Sequence, residues 1–281
     1  METRYNIDNI LELLKGQDVY VFGSSPEISD LFLTPYGIEV MSDTNVTLDP
    51  HPEQRNFKDL KIDINKHKKK LINDIFLDEL GFRNKITLGL NLFSAFYDTT
   101  IALWADKTPF ISKNILLNSG SEYLVTSMPT IQNLDPDFEQ HINKITNYLT
   151  WQGTIEPCNN GNYHKTYQGY IYWWRSILVG VLHLCCMAKA KNVYIIGAGC
   201  SPKSIDYFYA KIDKDVEWSF LNPEVVEILR SFQESFPSTK IYQTSTTSEL
   251  PFEVLTLEEI KNGKETKKNK SKSTKNQSTT S

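Results

Sequence analysis

An apolar, β-branched and aromatic run, Asp18-Val19-Tyr20-Val21-Phe22, enters the turn Gly23-Ser24-Ser25-Pro26 and then a brief helix expected over Glu27 to Phe32, stopped before Pro35. The pattern returns far downstream as Asn192-Val193-Tyr194-Ile195-Ile196, followed by Gly197-Ala198-Gly199-Cys200-Ser201-Pro202. A strand, a glycine turn and a helix in succession place backbone N–H groups at a helix N-terminus, where phosphate binds well. Two such units predict an α/β fold: a Rossmann-like, open, mostly parallel sheet with helices on both faces. The ligand of such a sheet sits at the carboxyl ends of its strands.

With 281 residues, 40% of them hydrophobic, the chain can bury a substantial core. No apolar run reaches the roughly 18 residues that a membrane span needs. The polar start Met1-Glu2-Thr3-Arg4-Tyr5 lacks the core of a signal peptide, so a cytoplasmic location is expected. Cys185 and Cys186 are adjacent in an apolar run, Cys158 and Cys200 stand alone, and no Cys-x-x-Cys pair occurs. Neither a disulfide framework nor a zinc site is indicated. The net charge of −4 conceals an asymmetry: residues 261–281 hold seven lysines and one glutamate, which leaves about −10 on the rest. Nucleic acid is therefore not an expected partner. The reading is one domain over 1–260 and a disordered Lys/Ser/Thr-rich tail over 261–281, either without function or in peripheral contact with an acidic surface.

Along the chain, Ile7 to Lys15 has helical spacing and Gly16 can end it; Ile38 to Met41 could be a strand. The later part of Lys61 to Leu80 has helical spacing. Lys85 to Leu90 and Thr100 to Ala105 read as buried strands, Ile115 to Leu117 and Glu122 to Thr126 as shorter ones, and Phe138 to Tyr148 as a helix. Residues 151–170 have no clean period and are dense in Asn, Gly, Tyr and His, which suits an irregular lid. Ile171 to Ala190 reads as one long buried helix, Pro223 to Phe236 as another with Asn222 as its N-cap, and Lys240 to Tyr242 and Pro251 to Leu255 as extended pieces.

Polar residues at strand ends mark where chemistry could sit. Gly23, Ser24 and Ser25 follow the first strand, Asn91 follows Leu90, and Asp106 follows the Thr100–Ala105 run. The serine loop is either a phosphate cradle or an ordinary strand-to-helix turn. Asn91 is either a ligand contact or a turn former. The dinucleotide fingerprint is not met, since Gly23-Ser24-Ser25-Pro26-Glu27-Ile28 has one glycine where three are needed and Gly197-Ala198-Gly199 lacks the third; the Walker lysine motif is absent too. His183, inside the apolar helix, reads as a satisfied core histidine. His164, in the candidate lid, is the histidine to nominate for acid–base work. Arg175 could pair with a phosphate or carboxylate, or form an ordinary ion pair.

A strand ending in Gly-x-x-Pro, a strand ending in Leu90-Asn91-Leu92-Phe93, a strand ending in Trp104-Ala105-Asp106, and a long helix running into Val193-Tyr194-Ile195-Ile196-Gly197-Ala198 occur in that order. In this order the chain resembles the bacterial sialyltransferases of glycosyltransferase family 42. It also resembles the broader related family that includes archaeal hydroxymethylpterin diphosphokinase-like and flagellin-modifying proteins. The resemblance spans most of Asp18 to Leu255, as pattern more than identity. It implies that Gly23, Ser24 and Ser25 hold the phosphate of a nucleotide-linked sugar. Asn91, Asp106 and Ser176 would contact the nucleotide or the sugar. Four departures stand out, the first being that the family's late-strand ending Gly-x-Asp appears as Gly197-Ala198-Gly199. Ser25 replaces the second loop glycine; Glu27 replaces a serine and would repel a phosphate if it pointed inward. Ser219-Phe220-Leu221 lies where the family has its catalytic histidine.

The resulting expectation is a glycosyltransferase-like enzyme with a nucleotide-sugar donor, a glycan or other hydroxyl acceptor, and no required cofactor. His164 or Asp106 would act as base and Arg175 would steady the leaving nucleotide. Two alternatives are an Mg²⁺-dependent phosphoryl or diphosphoryl transferase, with the metal on Asp106 and Asp43, and a catalytically inactive nucleotide-binding or interaction module.

Overall fold

Alternation within the first strand sets the two-sided architecture. In the computed structural model, which describes residues 7–25, 27–28, 66–105, 109–127, 139–152, 163–173, 176–198 and 221–262, that strand is β1 (Asp18–Phe22). Its Val19 and Val21 enter one core and its Tyr20 and Phe22 another, as period-two side-chain placement requires. The first core receives Ile10 and Leu14 from α1 (Asp8–Leu14), the apolar length of α6 (Ile177–Met187), and Val225, Leu229 and Phe232 from α7 (Leu221–Ser235). The second receives Ile72 from α2 (Lys66–Asp74), Phe76 from the π-helical turn Ile75–Glu79, Phe93 and Phe96 from α3 (Phe93–Phe96), and Ile260 from α8 (Leu257–Lys261). A strand buried on both faces needs helices on both faces, and the sheet has them.

Among the described residues, eight strands, all parallel, form the sheet in the order β10-β9-β8-β1-β2-β3-β4-β5. They are β2 (Ile86–Leu90), β3 (Ile101–Leu103), β4 (Tyr123–Ser127), β5 (Asn147–Leu149), β8 (Asn192–Ile196), β9 (Lys240–Gln243) and β10 (Glu253–Val254) beside β1. The expected Rossmann-like α/β class is the observed one. The chain builds outward from β1 to β5 and passes through a small parallel pair, β6 (Trp151–Gln152) and β7 (Ile171–Tyr172). It then returns along α6 to place β8 on the other side of β1. The order therefore reverses between β1 and β8, and in open α/β sheets the carboxyl ends at such a reversal are where ligands bind. Register locks this centre: Tyr20 pairs with Tyr194 and Tyr194 with Tyr242, and the three rings stack at centroid spacings of 5.1 and 5.5 Å.

Several sequence expectations are corrected. Ile115 to Leu117 is not a strand but part of α4 (Pro109–Asn118), whose Ile115 and Leu116 pack on Ala102, Trp104 and Leu124. The helix expected over Phe138 to Tyr148 is only α5 (Glu139–Ile142), and the chain is already in β5 by Asn147. The helix expected from Ile171 starts at Ile177, because Ile171 and Tyr172 pair with Trp151 and Gln152 as β7 and Ser176 caps α6 in extended conformation. Likewise α7 begins at Leu221, which places Asn222 inside the helix rather than at its N-cap. The strand expected at Ile38 to Met41 and the tail from 263 onward lie outside the described residues. No described helix is long and apolar enough to cross a membrane.

Phe22 is fully buried and meets Phe76, Phe82 and Phe93 at ring spacings of 5.2, 5.0 and 5.0 Å. Phe22→Ala is expected to cost about 3–5 kcal/mol in urea unfolding. Leu117→Ala, at a side chain 42% exposed, should stay within about 0.5 kcal/mol of wild type.

Candidate functional site

The loops after β1 and β8 are joined before either can meet a ligand. The Gly23 N–H donates to the Ile196 carbonyl (2.9 Å) and the Ser25 N–H to the Gly197 carbonyl (2.8 Å), so the parallel ladder continues beyond both strands. A Cβ on Gly23 would lie 2.5 Å from the Gly197 carbonyl oxygen and 2.7 Å from the Ala198 Cα. Glycine is required there by close approach of backbone. Gly197 has φ +62°, and a Cβ on it would collide with Ile28. The Ser25 carbonyl accepts from the Ile28 N–H at 3.1 Å, which starts the following helical turn. Two of the amides that a phosphate cradle would use are thus already committed to the neighbouring loop or strand.

The side chains around this junction are the ones left unsatisfied. Among the described residues, five buried side-chain oxygens have no hydrogen-bond partner: Ser24 Oγ, Ser25 Oγ, Glu27 Oε2, Asn91 Oδ1 and Gln243 Oε1. The first three follow β1, Asn91 follows β2, and Gln243 ends β9. All five belong to the carboxyl edge of the sheet. Buried polar groups are otherwise nearly always paired, so a cluster of orphans at the topological switch is where a polar ligand would complete the set.

Asn91 holds φ +48° and donates its N–H to the Leu103 carbonyl (3.0 Å). The left-handed turn ends β2 abruptly, and asparagine tolerates it better than most residues. Glu27 Oε1 accepts from the Ser245 hydroxyl and, at 2.9 Å, from the Thr247 hydroxyl, both in the loop after β9. One carboxylate oxygen is therefore tied to that loop, and the other is buried and open. Gln243 donates from Nε2 to the carbonyls of Leu250 (2.8 Å) and Phe252 (2.9 Å), which fixes the direction of its free oxygen.

Ser176 is the N-cap of α6, with Oγ accepting from the Leu178 N–H at 3.2 Å. Since α6 leads back into parallel β8, its N-terminus faces the carboxyl edge. Gly23, Ser24, Ser25, Asn91 and Ser176 thus share one side of the sheet. Asp106 and Arg175 lie outside the described residues.

His164 is placed elsewhere. Its Nε2 meets the Tyr170 hydroxyl, its ring stacks on Tyr172 at 5.2 Å, and its carbonyl accepts from His183 Nε2 (3.1 Å). The next residue, Lys165, donates to the Ser235 carbonyl at the end of α7. That helix end precedes β9 and so lies toward the amino edge of the sheet. Because of this packing, the structure does not bring His164 to Gly23, Ser24, Ser25 or Asn91. His183 is the satisfied core histidine expected: Nδ1 accepts from the Tyr172 N–H (2.9 Å) and Nε2–H donates to His164. Burial lowers its pKa to about 4.

Sequence reasoning missed Ser245, Thr247 and Gln243. Nothing local marks them, since Ser245 and Glu27 are 218 residues apart. No family model, curated protein or solved structure matches the chain.

Two consequences are measurable. Gly23→Ala overpacks the loop junction and is expected to cost about 1–3 kcal/mol. His183 is neutral in both states above pH 6.5; below that the unfolded chain takes up a proton that the folded one refuses until about pH 4. Stability is therefore lost as pH falls through this window, by roughly 2–3 kcal/mol between pH 7.5 and 4.5. His183→Gln, which can keep both hydrogen bonds, should lack that component when its urea unfolding is compared with wild type across the same range.

Proposed function

We propose that the chain binds a nucleotide-sugar donor across the carboxyl edge of its sheet and transfers the sugar to a hydroxyl acceptor. The observation that carries this reading is the gathering of every partnerless buried side-chain oxygen among the described residues at the ends of β1, β2 and β9. A ligand that satisfies oxygens on several strand ends must be extended and rich in polar groups, which a nucleotide sugar is. The reversal of strand order between β1 and β8 supports the same placement.

Under this reading Ser24, Ser25 and Asn91 form the polar wall that orients the donor, and Gly23 keeps the two loops in contact. Ser176 caps α6 with its oxygen and keeps its hydroxyl hydrogen for the ligand. The acceptor oxygen attacks the anomeric carbon, the bond from that carbon to the phosphate oxygen breaks, and its electron pair leaves with the nucleotide. With His164 held by Tyr170 and Tyr172, the acceptor proton is assigned to Asp106. Arg175 is assigned to the charge on the departing phosphate.

A thermal-shift panel of CMP-, UDP- and GDP-sugars, with ATP and Mg²⁺ as comparisons, tests the binding step. A bound ligand at about 100 times its Kd stabilises by about 2.7 kcal/mol. One nucleotide sugar is expected to raise the Tm. Asn91→Gly, which accepts φ > 0 freely, should unfold at or above the wild-type temperature without ligand and lose the ligand's shift. If no nucleotide sugar moves the wild-type Tm, the proposal fails. Release of free nucleotide over time, accelerated by an acceptor, distinguishes transfer from binding alone.

A further inference from the structure

The crevice lining has a polarity of hydrogen bonding that selects which part of a ligand can meet it. Glu27 Oε2 is a carboxylate oxygen, which accepts and cannot donate when ionised. Gln243 has spent both Nε2 hydrogens on Leu250 and Phe252, so its orphan is an acceptor as well. Asn91 Oδ1 is a third acceptor, and the Ser24 and Ser25 hydroxyls can act either way. Two of the backbone donors that could offset this are used: the Gly23 and Ser25 N–H groups are bound to Ile196 and Gly197. A phosphate offers acceptors alone and would face acceptors. A sugar or ribose offers hydroxyls that donate.

We propose that the loop after β1 receives ligand hydroxyls, not a phosphate, and that Glu27 is the residue that sets this specificity. The inference rests on the reading that the crevice takes a nucleotide sugar, and it reverses the assignment of the serine loop to the phosphate. Placement favours hydroxyls over a compact ammonium ion. The orphans are spread from β2 across β1 and β8 to β9, three interstrand spacings or roughly 14 Å. A single cation reaches one of them; a chain of ring hydroxyls reaches several. The grip of Ser245 and Thr247 on Oε1 holds the carboxylate in place, so Oε2 is presented without an ordering cost when the ligand arrives. The hydroxyls could come from the ribose or from the transferred sugar, and the two sources are separable.

Titration calorimetry on the full chain uses the nucleotide sugar with the largest thermal shift, its 2′-deoxyribose form and its sugar-free nucleotide. Wild type is compared with Glu27→Gln, which keeps an acceptor for Ser245 and Thr247; its unliganded Tm checks folding. A hydroxyl site predicts that Glu27→Gln weakens the nucleotide sugar by about tenfold or more, the scale of a hydrogen bond to a charged group. A phosphate site predicts the opposite sign, because a facing negative charge has been removed. Tighter or unchanged binding therefore overturns the proposal. Loss of the Glu27 effect with the deoxyribose form assigns the ribose, and loss with the sugar-free nucleotide assigns the transferred sugar. Should Glu27→Gln not fold, the wild type still decides: at least one hydroxyl deletion must weaken binding about tenfold, and equal affinity for every deleted form refutes the idea. If no nucleotide sugar binds at all, the proposed function fails separately. Saturation-transfer NMR with uridine, cytidine and methyl glycosides then reads this site alone; binding abolished by Glu27→Gln sustains it, and no binding by any of them removes it.

Discussion

The contact between the loops after β1 and β8 is the constraint on which the rest depends. Two amide-to-carbonyl bonds, Gly23 to Ile196 and Ser25 to Gly197, carry the parallel ladder past the strand ends. Backbone is brought so close that no side chain fits at Gly23. Such a junction turns two turns into one rigid wall. It also consumes two of the amide donors that make a strand–turn–helix unit attractive to anions. The side chains left without partners there are rich in acceptors. The chemistry of the site therefore follows from how the two halves of the sheet are joined.

Much of the sheet was legible because its central strands are short, apolar and bounded by turn residues. β1, β2, β8 and β9 could be read directly from Val-Tyr-Val-Phe, Ile-Thr-Leu-Gly-Leu, Val-Tyr-Ile-Ile and Lys-Ile-Tyr. Two of the errors share a cause. Ile115-Leu116-Leu117 is a short apolar run, and such a run fits a buried helix as well as a buried strand. Ile171-Tyr172 is apolar enough to merge with the helix after it; only the serine at 176 marks the boundary. The last helix carries a visible signal, Thr256 followed three residues on by Glu259, and the structure forms that capping box in full.

The candidate site was legible in part, and the division is physical. Strand-end residues such as Gly23, Ser24, Ser25 and Asn91 are positioned by the sheet, so identifying the strands locates them. Residues that act across the sequence are not. The hold of Ser245 and Thr247 on Glu27 bridges the loops after β9 and β1, and no local pattern encodes it. His164 fails as a crevice residue for the same reason in reverse. Its sequence neighbourhood is irregular and polar, but Tyr170, Tyr172 and His183 draw it into the helical layer.

The two edges of the sheet differ in a way that packing alone does not require. At the amino edge, buried or half-buried polar groups are paired. Asn192 donates to Asp18 at 2.7 Å, the Thr100 N–H to Thr87 at 2.9 Å, and the Thr239 hydroxyl to the Ala190 carbonyl at 2.8 Å. The same holds beside the strands, where Asn73 and the Gly120 N–H both donate to Asp98. This chain thus satisfies its buried polar groups where only folding is at stake. An unsatisfied buried oxygen costs about 1–3 kcal/mol, and five random lapses would not all fall on one edge. That edge is also where the strand order reverses and where Gly197 and Asn91 take left-handed backbone. Cost, topology and backbone conformation coincide at the carboxyl ends of β1, β2, β8 and β9, and it is this coincidence that supports the proposed ligand site there.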